Sequence, residues 1–410
     1  MIKYIFWLSF FSGIGSLAGL PYQSLNIAAI PALFYLIKNL SSKKLSLDCL
    51  ILILIIALHT CISLYYLSLD SIVSLMQLAT VVLVYISLRI SNFYPSSKGV
   101  FNLIFLNLLI GFFQSFGGLG FRGVPMIESE PSRSARSLLV LLLPITLDLK
   151  RFRKFFPPIS LMFIGFLILN RSASLILVFA YFMIILFQYF FDLLILSWKG
   201  VFKIKKLYLS FVAIITTALA FSLSFGREVR AVSALVSAFK YLSSSSGLET
   251  LILLMQLSGR RLQSVFQIYT QGIFDLPRGV QGYNYFLNKE ALSNSMFSMT
   301  HYHLGKLSDT GNFEPFSYSA ALIAQGGFLS FLLIIIFSAT VLFQLRFNLR
   351  LCRFRQINLL KLEIYACTSA IIISVLQLWF YSTDSIIQHW ILLAIAINYL
   401  EIKSHEVEPT

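Results

Sequence analysis

The amino-acid sequence predicts an all-α polytopic membrane protein that forms a single integral membrane domain over residues 1–410. Mean hydropathy is +0.82, 58% of the residues are hydrophobic and only 12% are charged. Uncharged stretches of about 18 residues or more recur along the whole chain, and a helix of about this length is needed to cross a bilayer. This composition excludes a soluble globular protein.

About twelve transmembrane helices are predicted from the charge-poor stretches. In chain order they cover residues 4–20, 24–37, 47–67, 73–88, 100–116, 137–149, 158–169, 172–196, 207–225, 319–345, 364–381 and 386–400. The first stretch resembles a signal peptide, but it lacks a small-x-small cleavage site, so we expect it to be retained. The four cysteines have neither CxxC nor metal-ligand spacing, and we expect no disulfide, structural metal or cofactor.

The distribution of basic residues predicts that both chain ends lie in the cytoplasm. This orientation places every large basic cluster on the inner side, as the positive-inside rule requires, and explains the net charge of +15 without a nucleic acid partner. The inner clusters are Lys38/Lys43/Lys44, Arg89/Lys98, Lys150/Arg151/Arg153/Lys154, Lys199/Lys203/Lys205/Lys206 and Arg346/Arg350/Arg353/Arg355/Lys361. Residues 117–136 then form a smaller outer loop, residues 226–316 a large and partly helical outer loop, and residues 401–410 a cytoplasmic tail.

Arginine dominates the predicted outer face, where the positive-inside rule disfavours cations. The arginines there are Arg122, Arg133, Arg136, Arg171, Arg227, Arg230, Arg260, Arg261 and Arg278, against the lysines Lys240, Lys289 and Lys306. A guanidinium group offers a planar fork of donors that matches phosphate or carboxylate, so this bias indicates an anion site. The alternatives are ion pairs with outer Asp and Glu residues, or side chains that reach lipid headgroups.

Several of these arginines lie at predicted helix starts. The sets are Arg260/Arg261 after the N-cap candidate Ser258, Arg133/Arg136 after the N-cap candidate Ser132, and Arg171 after Asn170. A cation in the first turn opposes the helix dipole, whereas a bound anion would use both the free N–H groups and the guanidinium groups. We therefore expect these arginines to converge on a diphosphate, with Arg122 contributing from a glycine-containing loop.

The stretch Arg278 to Tyr283 reads RGVQGY and predicts a tight turn. It lacks GxGxxG, a GK[ST] ending and a preceding strand, so no nucleotide site is indicated. The glycines either let the backbone approach a sugar or phosphate or form a plain turn. Under the first interpretation Arg278 contacts the phosphate, and Gln281 and Tyr283 contact the glycan.

Few groups on the predicted outer face could transfer a proton. Glu130, His301 and His303 are the candidates for a general base that activates a hydroxyl group. The histidine pair lacks Asp, Glu or Cys at ligand spacing, so we expect no metal site. His59 and His389 lie inside predicted spans and are interpreted as hydrogen-bonding groups between helices.

The order of several short motifs resembles the superfamily of O-antigen polymerases (Wzy-type) and O-antigen ligases. The motifs are Arg122-Gly123 through Glu130-Pro131-Ser132, Asn170-Arg171-Ser172, Ser258-Gly259-Arg260, Gly279-Val280-Gln281-Gly282 and Ala324-Gln325-Gly326-Gly327-Phe328. Ligases place a histidine closer to the last glycine motif than His301 and His303 lie, and the polymerase resemblance is therefore the stronger one.

The resemblance implies a GT-C-like glycosyltransferase of the bacterial inner membrane with its active site facing the periplasm. It implies metal-independent transfer of a glycan from undecaprenyl pyrophosphate to a sugar hydroxyl of a second lipid-linked repeat unit, in lipopolysaccharide biosynthesis. A chain-length regulator protein is one candidate partner. The alternatives are a ligase-like glycan transferase and a flippase for lipid-linked oligosaccharide, which would need polar groups along a pathway through its spans.

Overall fold

The computed structural model describes a part of the chain that is helical apart from turns and short connections. The described residues are 1–10, 27–41, 43–67, 69–118, 124, 126, 131–148, 169, 175–198, 265, 268–279, 281–286, 317–354, 361–380 and 387–405. Within these ranges there is no β-strand, and the predicted all-α class is confirmed. The predicted span 207–225, and span 158–169 apart from Leu169, lie outside the described residues.

Eleven helices are defined within the described ranges. They are α1 (Ile2–Leu8), α2 (Ala29–Asn39), α3 (Leu47–Tyr66), α4 (Leu69–Ile90), α5 (Ser97–Ser115), α6 (Pro131–Leu147), α7 (Leu175–Trp198), α8 (Gln281–Phe286), α9 (Tyr318–Phe354), α10 (Lys361–Phe380) and α11 (Gln388–His405). Ten of them overlap predicted spans. α6 begins earlier than its predicted span, and α8 was not predicted as a span.

Four of the described helices, α3, α5, α9 and α10, are long and apolar enough to cross a membrane. Shorter apolar stretches occur in α4 at Ser74–Ile90 and in α7 at Ala180–Asp192. These helices support a membrane protein. The complete set of twelve crossings and the cytoplasmic position of both chain ends stay predictions.

Local sequence explains where several helices begin. Ser96 caps α5, and its hydroxyl accepts a hydrogen bond from the Gly99 N–H at 3.4 Å. α6 begins at Pro131, six residues before the predicted span, because proline presets a helical φ and needs no N–H partner in the first turn. Ser132 therefore lies inside the helix, and its predicted position as the N-cap is wrong.

α11 is the central helix of the described bundle. It contacts α4, α6, α9 and α10, and every residue from Gln388 to Leu400 is buried. Trp390 lies at its core, with ring centroids 5.6 Å from Tyr85, 5.2 Å from Tyr318 and 5.5 Å from Phe337. Aromatic side chains from α4 and α9 thus enclose Trp390, and α11 faces protein on all sides of this stretch.

A buried charged cluster joins the start of α3 to the ends of α4 and α11. The Arg89 Nε donates to Asp48 Oδ2 at 3.0 Å, and the other guanidinium nitrogens donate to both Glu401 carboxylate oxygens at 2.8 Å. Asp48 also accepts from the Tyr85 hydroxyl at 2.6 Å and from Gln344 Nε2 of α9 at 2.8 Å. The sequence places Arg89 among the inner basic residues that set the orientation. The Arg89 side chain is buried and paired with two carboxylates, so these contacts explain its presence without the positive-inside rule.

We expect Arg89→Gln to reduce the free energy of unfolding by about 3–5 kcal/mol, because it leaves the buried Asp48 carboxylate without its cation. Thermal and denaturant unfolding in detergent micelles measure this loss. The matched control is Lys361→Gln, which removes an exposed ion pair with Asp192 at 2.7 Å and should cost about 1 kcal/mol or less. Equal losses in the two variants would show that the charged cluster does not hold the bundle together.

Candidate functional site

A break in α9 receives a second segment of the chain. Gly327 lies inside α9 with φ +57° and ψ −142°, which is not helical. The N–H groups of Arg278 and Gly279 both donate to the Gln325 carbonyl at 2.9 Å, and the Phe328 N–H donates to the Asp275 carbonyl at 3.1 Å. We call the two segments Asp275–Gly279 and Gln325–Phe328 together the glycine junction.

Glycine is required at the junction because the two backbones touch. A Cβ atom on Gly327 would lie 2.1 Å from the Asp275 carbonyl oxygen, and the positive φ is itself costly for any other residue. A Cβ atom on Gly282, at the start of α8, would lie 1.9 Å from the Ala324 carbonyl oxygen. The glycines in RGVQG and AQGGF therefore serve the contact between these two motifs.

The end of α3 supports the junction from the side. The Tyr66 hydroxyl donates to the Pro277 carbonyl at 3.0 Å. The Tyr66 ring also lies against Gly279, where a Cβ atom would approach the ring to 2.5 Å, and Gly279 has φ +60°. Segment Asp275–Gly279 is thus held between the break in α9 and an aromatic side chain of α3.

A buried polar group lies directly beneath the junction. His59 of α3 forms hydrogen bonds through Nε2 with Ser330 Oγ at 3.0 Å and through Nδ1 with Gln325 Oε1 at 3.3 Å. Gln325 Nε2 donates to Ser74 Oγ of α4 at 2.8 Å. The expectation that His59 joins helices is confirmed. The Gln325 side chain bonds to His59 of α3 and to Ser74 of α4. Its main-chain carbonyl accepts from Asp275–Gly279, which we call the docked segment.

A small cavity adjoins this polar group. His59, Ser74 and Gln325 contribute its polar wall, and its volume of about 10 Å³ is close to the least that holds one water molecule. The apolar wall comes from Leu75, Leu78, Leu322 and the ring of Tyr318. The space is too small for a sugar or a phosphate.

Arg278 is a fixed cation at the edge of the junction. Its guanidinium forms a bidentate ion pair with Asp275, at 2.5 Å and 3.2 Å, and its central carbon lies 3.7 Å from the centre of the Tyr285 ring. The hydrogen bonds from Arg278 lower the pKa of Asp275, and those same bonds raise the pKa of Arg278. The Arg278 side chain remains 36% exposed, so an anion can still reach it.

The short helical stretch at 268–272 anchors the docked segment at its other end. The Tyr269 hydroxyl forms a hydrogen bond with Ser319 Oγ at 2.5 Å and donates to the Trp379 carbonyl. Ser317 Oγ also lies 3.3 Å from the Tyr269 hydroxyl. One tyrosine thereby joins the segment to the start of α9 and the end of α10.

The predicted site residues fall in different places. Arg133 and Arg136 lie near the start of α6 with only 6% and 4% exposure, and this burial disfavours the alternative that they reach lipid headgroups. Gln281 begins α8 beside the junction and is exposed, and Tyr283 also lies in α8. Arg122, Glu130, Arg171, Arg260, Arg261, His301 and His303 lie outside the described residues, and the convergence of the arginines on a diphosphate stays a prediction.

The sequence interpretation did not include several residues that build the junction. Asp275 lies three positions before Arg278, and this local charge pair was a usable signal. For His59, the sequence predicts a hydrogen-bonding group between helices but not its contact with Gln325 at the junction. Tyr66 and Ser74 carry no such signal, because their contacts with the junction join residues more than two hundred positions apart.

Comparison of the chain with models of known protein families gives no match, and comparison with curated proteins gives no match either. Function is therefore assigned from the site, through the geometry and chemistry of its residues.

We expect Gly327→Ala to release the docked segment. Alanine at this φ costs about 1–3 kcal/mol, and its methyl group would displace the Asp275 carbonyl. Hydrogen–deuterium exchange should show about tenfold or greater loss of protection at the amides of Arg278, Gly279 and Phe328. Gly117→Ala is the control, because the nearest atom to a Cβ there is 3.4 Å away. Unchanged protection in Gly327→Ala would contradict the proposed docking.

The ion pair of Asp275 also predicts a pH dependence. Because the folded-state pKa of Asp275 is lowered, its contribution is present above the unfolded value of about 3.9 and is lost as the pH falls through the folded value. Protection factors of the Arg278 and Gly279 amides should be constant from about pH 8 to pH 5 and should fall only below about pH 4. In Asp275→Asn the protection factors should no longer fall at acid pH. A fall in protection near neutral pH in the wild type would show that Asp275 is not the group that titrates.

Proposed function

We propose that the protein is a polysaccharide polymerase of the O-antigen type. It transfers a glycan from undecaprenyl pyrophosphate to a sugar hydroxyl of a lipid-linked repeat unit, at the periplasmic face of the bacterial inner membrane. The glycine junction carries this proposal. Two motifs that resemble polymerases, at Gly279–Gly282 and Ala324–Phe328, contact each other there through main-chain hydrogen bonds.

The proposed reaction requires a cationic group at the departing diphosphate. Negative charge develops on the leaving group as the glycosidic bond breaks, and fixed guanidinium donors stabilise this charge without reorganising. Arg278 has the required properties, because Asp275 and Tyr285 fix its orientation while the side chain stays accessible. The neighbouring Gln281 is exposed and can contact the glycan.

The remaining candidates have complementary roles in this proposal. The donor site also includes the arginines of the predicted helix starts and loops, namely Arg122, Arg133, Arg136, Arg171, Arg260 and Arg261. Glu130, His301 or His303 removes the proton from the acceptor hydroxyl. The protein has a GT-C-like arrangement with twelve membrane crossings, both chain ends in the cytoplasm and the arginine-rich loops outside.

A flippase would need polar groups along a path through the bundle. In the charged cluster and in the group around His59, the polar side chains instead bond to partners on neighbouring helices. Such contacts tie helices together, which favours a transferase with a surface site. A ligase-like transferase would use the same donor and differ in its acceptor.

The polymerase proposal predicts that purified protein converts a synthetic undecaprenyl-pyrophosphate-linked repeat unit into a ladder of longer glycans. Arg278→Ala should lower the rate by about 100-fold or more, which is typical when a donor to the developing charge is lost. Mass spectrometry of the lipid-linked products measures both the ladder and the rate.

Asp275→Ala is the matched control for this experiment, since it breaks the same ion pair but keeps the guanidinium group. It should lower the rate less than Arg278→Ala does, because the guanidinium group is retained but its orientation is fixed less firmly. Equal losses in the two variants would show that Arg278 only braces the turn. Transfer of single units to a different acceptor, without a ladder, would instead support the ligase-like alternative.

A further inference from the structure

α9 is longer than a bilayer requires. Its uninterrupted part runs from the break at Gly327 to Phe354, which corresponds to about 40 Å at 1.5 Å per residue. The hydrocarbon core of a bilayer is about 30 Å thick. A helix that starts at the membrane surface near Gly327 therefore reaches the opposite headgroup region at about Arg346, and Arg350 lies one turn farther.

A contact with α3 independently places Arg346 at this level. Gln344, two residues earlier in α9, donates to Asp48 in the first turn of α3. The exposed residues Lys43 and Lys44 immediately precede that helix. Cations from two separate elements thus lie at the same depth, at the end of the bundle remote from the glycine junction.

This end of the bundle has an excess of accessible positive charge. Arg346 and Arg350 are exposed, and no described carboxylate lies within ion-pair distance of either one. The nearby carboxylates of Asp48 and Glu401 are already bound to Arg89. Residues four apart share one face of a helix, so the two guanidinium groups can contact the same anion.

An apolar groove adjoins the two arginines. It is a shallow, open hollow along one face of α9, lined by Leu342, Leu345, Arg346, Leu349 and Arg350. Phe343 and Phe347 stack beside it with ring centroids 6.4 Å apart and are 68% and 54% exposed. We call these five lining residues the basic groove.

We propose that the basic groove binds an anionic phospholipid. The headgroup phosphate bonds to Arg346 and Arg350, and an acyl chain extends from there toward the bilayer centre along Leu342 and Leu345. Free phosphate would contact only the two arginines, whereas a phospholipid would also contact the apolar residues beside them, so the lipid accounts for both parts of the surface. This site is separate from the glycine junction and does not depend on the proposed transferase activity.

Native mass spectrometry of the full-length protein tests the proposal. Protein in neutral detergent is titrated with phosphatidylglycerol, and bound lipid and the melting temperature are measured in parallel with phosphatidylcholine and with inorganic phosphate. The wild type should bind phosphatidylglycerol in preference to phosphatidylcholine, and phosphatidylglycerol should raise its melting temperature more than phosphatidylcholine or inorganic phosphate does. Arg346→Gln/Arg350→Gln should weaken phosphatidylglycerol binding about tenfold or more, as expected for two charged hydrogen-bonding contacts.

Lys43→Gln/Lys44→Gln is the matched control, because it removes two cations at the same depth outside the groove. It should retain phosphatidylglycerol binding. The proposal is overturned if the arginine double variant binds phosphatidylglycerol like the wild type, or if the lysine variant loses as much affinity. It is also overturned if inorganic phosphate alone reproduces the rise in melting temperature. A Leu342→Ala variant, in which a 45% exposed side chain of the basic groove is shortened, should also bind phosphatidylglycerol more weakly if the acyl chain contacts this surface.

Discussion

The left-handed backbone at Gly327 is the constraint on which the rest of the site depends. A break inside an apolar helix frees main-chain groups that neither lipid nor hydrocarbon side chains can satisfy. The docked segment Asp275–Gly279 satisfies the groups on both sides of this break, with the Gln325 carbonyl accepting two hydrogen bonds and the Phe328 N–H donating one. The break is therefore stable only with the segment in place. The hydrogen bond from the Arg278 N–H to the Gln325 carbonyl fixes the position of Arg278.

The described bundle contains two polar centres with different roles. The charged cluster around Arg89 lies near the start of α3. Its carboxylates bond to Arg89, so the cluster holds the helices together and leaves these carboxylates unavailable to a ligand. The glycine junction lies at the other end of the same helix, and there Arg278 keeps an accessible face. α3 and α9 run through both centres, and the rigidity supplied at one end helps to hold the geometry of the other.

Local pattern predicts most of the described helices but not the contacts that build the site. Apolar runs predict the positions of these helices, whereas the start of α6 is set by Pro131, because proline favours the first helical position. α11 was predicted as one more span, but hydropathy cannot distinguish a helix buried in protein from one facing lipid. The contact between Arg278 and Gln325 joins distant parts of the chain, and only the need for glycine at both places was visible beforehand.

The docking of the segment Asp275–Gly279 is the central claim, and photo-cross-linking from position 66 tests it most directly. Tyr66 is replaced by p-benzoylphenylalanine, an aromatic side chain that keeps Gly279 intact, and the protein is irradiated in its native membrane. Mass spectrometry should locate the cross-links at residues 277–279, which the Tyr66 side chain contacts. Cross-links confined to lipid or to neighbouring helices, with none at residues 277–279, would contradict the account.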